Sequence, residues 1–122
     1  MEKIKIYIAS PYTIGDQIEN VRTQMIVFET LHSFGMMPFA PLWGSFQNLV
    51  FPHTWEEWIE WCSTWVKSCD CLLRLPGESK GADEEVRVAK MNSIPVYYSI
   101  DQVKEAFTSG RIHSLVSKKK TN

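Results

Sequence analysis

The stretch LPGESKGADEEVRVA, residues 75–89, holds four carboxylates: Glu78, Asp83, Glu84 and Glu85. A carboxylate there could act as a nucleophile or as a general acid or base, yet acids also collect at helix starts because the macrodipole favours negative charge. Helical geometry separates the four. At about 100° per residue, Ala82, Val86 and Ala89 fall together on one face of a helix over 81–91 and mark the side turned to a core. Glu85 lies about 60° from the middle of that face, whereas Glu84 points nearly opposite and Asp83 sideways, to solvent. Glu85 is therefore the acid of this helix that faces inward. Burying a carboxylate alone is costly, so it must be hydrogen-bonded, paired or functional. A satisfied first-turn acid and a reactive one both fit the pattern.

Other residues could join it. PGESKG (76–81) runs straight into the helix, so backbone N–H groups and Ser79 could form an anion-holding corner. A plain turn would look much the same. The loop is neither GxGxxG nor GxxxxGK[ST], so neither a dinucleotide nor a triphosphate is indicated. Tyr7 shares a strand face with Lys5 and Ala9, and its phenol could reach a carboxylate on a neighbouring helix start or sit in the core. His32, His53 and His113 have no Ser or Cys arranged as a partner, which argues against a hydrolytic triad.

These residues need a frame. IKIYIA (4–9) alternates as a strand and ends in the broken loop SPYTIGD. Asp16 with Glu19 caps a helix whose apolar positions are Ile18, Val21, Met25, Phe28 and Leu31, and Gly35 closes it. MMPFAP (36–41) reads as an edge strand and 43–53 as an aromatic-rich loop, with Trp43 at its head a candidate substrate contact. Thr54 and Glu57 form a capping box for a helix through about residue 68, where Trp55, Trp58, Cys62, Trp65 and Cys69 share a stripe. CLLRL (71–75), a helix over 81–91, IPVYYS (94–99) and a helix over 101–107 follow. The basic end, SKKKTN, reads as a frayed tail.

Strand and helix alternate four times, which predicts an α/β domain: a parallel sheet of four to five strands with helices on both faces, flavodoxin- or Rossmann-like. The expected division is one domain over 1–110 and a basic tail over 111–122. Ligands of such sheets sit at the carboxyl ends of the strands, here the loops 10–16, 42–53 and 76–81. Asp70 lies at the opposite end and reads as structural.

Composition narrows the classes of function. A net charge of −1 argues against a nucleic-acid binder. No apolar run is long enough to span a bilayer, which takes roughly 18 residues. The amino terminus alternates instead of forming a signal-peptide core, so a cytoplasmic protein is expected. Three cysteines without CxxC spacing fit reduced thiols, with no disulfide framework and no structural zinc. Four of the five Trp fall between residues 55 and 65, a density that suits a pocket or a subunit interface.

IYIASPYTIGDQIENV and CDCLLRLPGESKGADEEVRVAKMNSIPVYYS together resemble the nucleoside 2-deoxyribosyltransferase-like family, over residues 4–101. The resemblance is closest to its small bacterial and phage branch. Its most specific part is S-x-G-x-x-x-E-x-x-x-A, here Ser79, Gly81, Glu85 and Ala89, spaced as in deoxynucleoside 5′-monophosphate N-hydrolases. The resemblance implies that Glu85 attacks the anomeric carbon of a nucleoside or nucleotide to give a glycosyl ester, which water or a second base resolves. It implies that Tyr7 orients Glu85, that Ser79 contacts a 5′-phosphate, and that Ser10 and Thr13 add phosphate or sugar contacts. It further implies no metal or cofactor, and a homodimer or higher homo-oligomer. One position departs. Eight residues before Asp70, where the family carries a sugar-holding aspartate, stands Cys62. A thiol is a weak donor and a poor acceptor, so Glu57 or Glu60 would have to substitute, or the activity is altered or lost. A nucleotide-binding protein without turnover is thus the second expectation, and an interaction protein with a Trp-rich surface the third.

Overall fold

Alternation at the amino terminus produces β1 (Lys5–Ala9) in the computed structural model, which describes residues 3–121. α1 (Gln17–Ser33), β2 (Met37–Phe39), a 3-10 turn (Pro41–Trp43), α2 (Gly44–Val50) and α3 (Trp55–Lys67) follow. β3 (Cys71–Arg74), α4 (Lys80–Met91), β4 (Val96–Tyr97), α5 (Ile100–Thr108) and α6 (Arg111–Thr121) complete the path.

The four strands form one parallel sheet in the order β2-β1-β3-β4. Tyr7 lies opposite Phe39 on one side and Leu72 on the other, and Ala9 lies opposite Arg74. Strand order reverses between β1 and β3, the place at whose carboxyl ends ligands of such sheets sit.

Alternate residues of β1 serve two cores. Ile4, Ile6 and Ile8 pack with Cys71, Leu73 and Leu75 against Val27 and Leu31 of α1, Val103 and Ala106 of α5, and Ile112 of α6. Tyr7, Ala9 and Leu72 pack with Val66 of α3 and Ala82, Val88 and Ala89 of α4. Helices cover both faces, as the alternating pattern predicts. Asp70 ties the amino ends of β1 and β3 by accepting from the Lys5 N–H at 2.8 Å, a structural role.

Four sequence expectations are corrected. Residues 111–121 are not a tail but α6, started after Gly110 (φ 82°) and docked by the fully buried Ile112, with Val116 beside it. Asn122 lies outside the described residues. Most of the expected loop 43–53 is α2, a helix that buries none of its residues. In α1 the inward line is Gln24, Val27 and Leu31, while Ile18 and Met25 face out. The line turns because Gln24 finds partners inside. In α3 Cys62 does face inward, but Val66 is the residue of the helix that is fully buried, and Trp55 and Trp65 stay exposed. Among the described residues, no helix is long and apolar enough to cross a membrane.

Candidate functional site

α4 starts where Ser79 caps it, its Oγ accepting from the Ala82 N–H at 3.1 Å. Six residues on, Glu85 is turned towards β1 and is 6% exposed. The Tyr7 phenol, fully buried on β1, donates to Glu85 Oε2. Cys62 of α3 stands beside both groups, close enough to bias their ionisation. The sheet and the two helices on this face thus each supply one member of a buried trio.

Burial sets the charges of the trio. Desolvation raises the Glu85 carboxyl to about 7, and the Tyr7 phenol, the Cys62 thiol and the Arg74 charge act against that rise. Desolvation, then the Glu85 charge, push Cys62 up to about 12, so it stays a thiol. Tyr7 is held well above its usual range by burial and by Glu85, and remains a donor. Near neutral pH the one group here that changes charge is Glu85. A carboxyl kept dry, oriented by a phenol and poised near neutrality suits a nucleophile or a proton carrier.

Two residues missed at the sequence level build the rim. Arg74, 9% exposed at the end of β3, donates to the Leu75 carbonyl, to the Gly77 carbonyl at 2.9 Å and to Asp83 Oδ1 at 2.9 Å. Asp83 is therefore not simply a solvated acid; it clamps the β3–α4 loop. Gly77 (φ 118°) lets that loop pass the β1–α1 loop, since a Cβ there would stand 2.8 Å from Pro11 Cγ. Gln24, 1% exposed, donates to the Ile8 carbonyl at 3.2 Å and to Ser10 Oγ at 2.8 Å, and accepts from the Leu42 N–H at 2.9 Å. It joins the loops that leave β1 and β2. The signals were a lone cation in the apolar run CLLRL and a polar residue on the inward line of α1.

The structure brings Glu85, Tyr7 and Cys62 together and leaves the other candidates around them. Ser10 is nearly buried at the end of β1, and Thr13 is exposed on the following loop. Gly81 is where α4 meets α3: a Cβ there would touch Ile59 Cδ1 at 3.5 Å. Trp43 belongs to a different feature, a groove of about 870 Å³ between α2, α3 and the end of β2. Glu57 and Glu60 line that groove too; Glu85, Tyr7 and Cys62 do not. The link between groove and trio is Phe39, which stacks on Tyr7 at 5.6 Å and on Trp65 at 5.1 Å.

Residues 4–98 match the family model described as a domain of unknown function, DUF4406, and the chain belongs to that family. No curated protein matches the chain.

Proposed function

We propose that this protein cleaves the N-glycosidic bond of a nucleoside or nucleoside 5′-monophosphate with Glu85 as nucleophile. The observation that carries the reading is the buried Glu85 carboxyl held by the Tyr7 phenol at the strand-order switch. An ionised Glu85 oxygen attacks the anomeric carbon, and the bond pair leaves with the base nitrogen, which takes a proton from solvent. Water then opens the glycosyl ester and restores the carboxylate; a second base in place of water gives transfer. Tyr7 fixes which Glu85 oxygen is free to attack. Ser10 and Ser79 support a phosphorylated substrate, because their oxygens already accept from Gln24 and Ala82 and their O–H groups remain to donate to an anion. Three free cysteines accord with a cytoplasmic setting. The outward residues Phe46, Leu49 and Val50 of α2, each at least 66% exposed, support a homo-oligomer.

Incubation with nucleosides and 5′-monophosphates, followed by chromatography for free base, tests the reading. We expect base release from at least one substrate and none from Glu85→Gln; no release from any substrate contradicts it. The Cys62 thiol favours a second reading, a nucleotide-binding protein without turnover. Cys62→Asp separates the two: a large gain in release marks a weakened enzyme, and binding without release in both forms marks a binder.

A further inference from the structure

We propose that the groove between α2 and α3 docks an arginine side chain from an exposed segment of another protein, its guanidinium lying on a Trp face and forking onto Glu60. This interaction goes beyond the glycosidic reading and does not depend on it. Phe39 stands between the groove and Tyr7, and it stacks on Trp65 at 16°, so that face of Trp65 is taken. Trp61 and Trp43 differ from it. Trp61 is exposed and meets Phe39, Trp58 and Trp65 at 46°, 89° and 62°, so none of these rings is stacked on it. Trp43 is exposed too, and its contact with Phe28 is tilted at 36°. Trp58 is held in place by its Nε1–H, which donates to Asn48 Oδ1 at 2.7 Å.

Charge selects the occupant. Glu57 and Glu60 line the groove and no Lys or Arg does, which favours a cation there and repels an anion. A second copy seated on the groove about a two-fold axis would set these carboxylates against their own equivalents, with no lining cation to offset them. Glu57 is engaged, accepting from the Thr54 N–H at 3.0 Å and lying 3.4 Å from His53 Nδ1. Glu60 is exposed and enters no ion pair among the described residues. Its two oxygens match two parallel N–H donors, the fork that a guanidinium offers and an ammonium does not. A guanidinium is also flat and weakly hydrated, and it stacks on Trp. The groove is longer than one such group: from Glu57 to Trp65 the helix rises by roughly 12 Å, at about 1.5 Å per residue. That length takes about three extended residues at about 3.3 Å each, and Phe39 and Ala40 offer contact to apolar neighbours of the arginine. Free arginine fits less well, because its own carboxylate would meet the same acids; within a peptide that group is an amide.

The probe is the peptide Leu-Arg-Leu, acetylated at one end and amidated at the other. It is compared with the same peptide carrying Lys or uncharged citrulline in place of Arg, and with agmatine, a free guanidinium without a carboxylate. Calorimetry gives the affinities, and NMR shifts of the Trp indole N–H signals give the place. Expected are saturable binding of the Arg peptide with movement of the Trp43 and Trp61 signals, and weaker binding of the Lys peptide. The Arg peptide should bind roughly tenfold tighter than the citrulline peptide, a ratio that falls to about threefold in Glu60→Gln. Equal binding of the Arg and citrulline peptides, a ratio unchanged in Glu60→Gln, or binding that leaves both Trp signals in place would overturn the proposal. Agmatine binding as tightly as the peptide would overturn the choice of a protein segment. Absence of peptide binding would overturn it as well, and sedimentation then shows whether a second copy fills the groove instead. None of these outcomes bears on base release, which the Glu85→Gln variant tests separately.

Discussion

Where β1 and β3 meet, the buried polar side chains are bonded to one another or to the backbone, whereas the groove along α3 is open and its Glu60 enters no ion pair among the described residues. Tyr7 and Glu85 are bonded to each other, Gln24 and Arg74 each satisfy three groups, and among the described residues no buried side-chain nitrogen or oxygen lacks a partner. Across Phe39, Trp43 is 52% exposed and Trp61 38% exposed, and Glu60 faces solvent. A reacting carboxylate gains from a dry, fixed setting, where each neighbour shifts its proton affinity strongly. Recognition of a planar ligand gains from faces and acceptors that are still free. The two regions meet at Phe39, which stacks on Tyr7 on one side and on Trp65 on the other.

The largest expected break in that contrast is titration of Glu85. Its carboxyl is raised from 4.5 to about 7 in the folded protein, a difference worth on the order of 3 kcal/mol. Below pH 4.5 the group is protonated folded or unfolded, and the stabilisation is fully present. As pH rises through 7 the folded state must hold a buried charge, and the stabilisation is lost. Urea unfolding should therefore show the protein losing on the order of 3 kcal/mol relative to Glu85→Gln between pH 4.5 and 9. Parallel curves for the two proteins would show that Glu85 is not in a dry setting.

A smaller effect is expected at Arg74. Arg74→Met leaves the Leu75 and Gly77 carbonyls without their donor and should cost about 2 kcal/mol. It also removes a positive charge that lowers the Glu85 carboxyl, so the pH dependence above should move upward. A loss below about 0.5 kcal/mol, with no movement in pH, would mean the loop does not need its clamp. The smallest effect belongs to the groove: Glu60→Gln, exposed and unpaired, should change stability by less than about 0.5 kcal/mol. A larger loss would place Glu60 in the framework and blur the division.

Much of the closed region was legible in the sequence, and little of the open one. Glu85 could be singled out because a helix fixes which residues share a face, and Tyr7 because a strand alternates. The Thr54 capping box and the Asp16 cap were readable because capping is local. Gln24 and Arg74 were not, since a polar residue in an apolar line is explained only by partners distant in sequence or shape. α2 escaped because its apolar residues face outward and show no inward stripe. α6 escaped because its run of lysines masks Ile112, Leu115 and Val116, whose spacing of three and four was the available signal.

The central claim is that a dry Glu85 carboxylate is the nucleophile. Its most direct test is the rate of base release from pH 5 to 9 for the parent protein and for Glu85→Gln. The parent should gain activity as Glu85 ionises, with an acid limb near 7, and the variant should release no base at any pH. Turnover that survives in Glu85→Gln, or a parent rate already near its plateau at pH 5, as an ordinary carboxylate of about 4.3 would give, would contradict it.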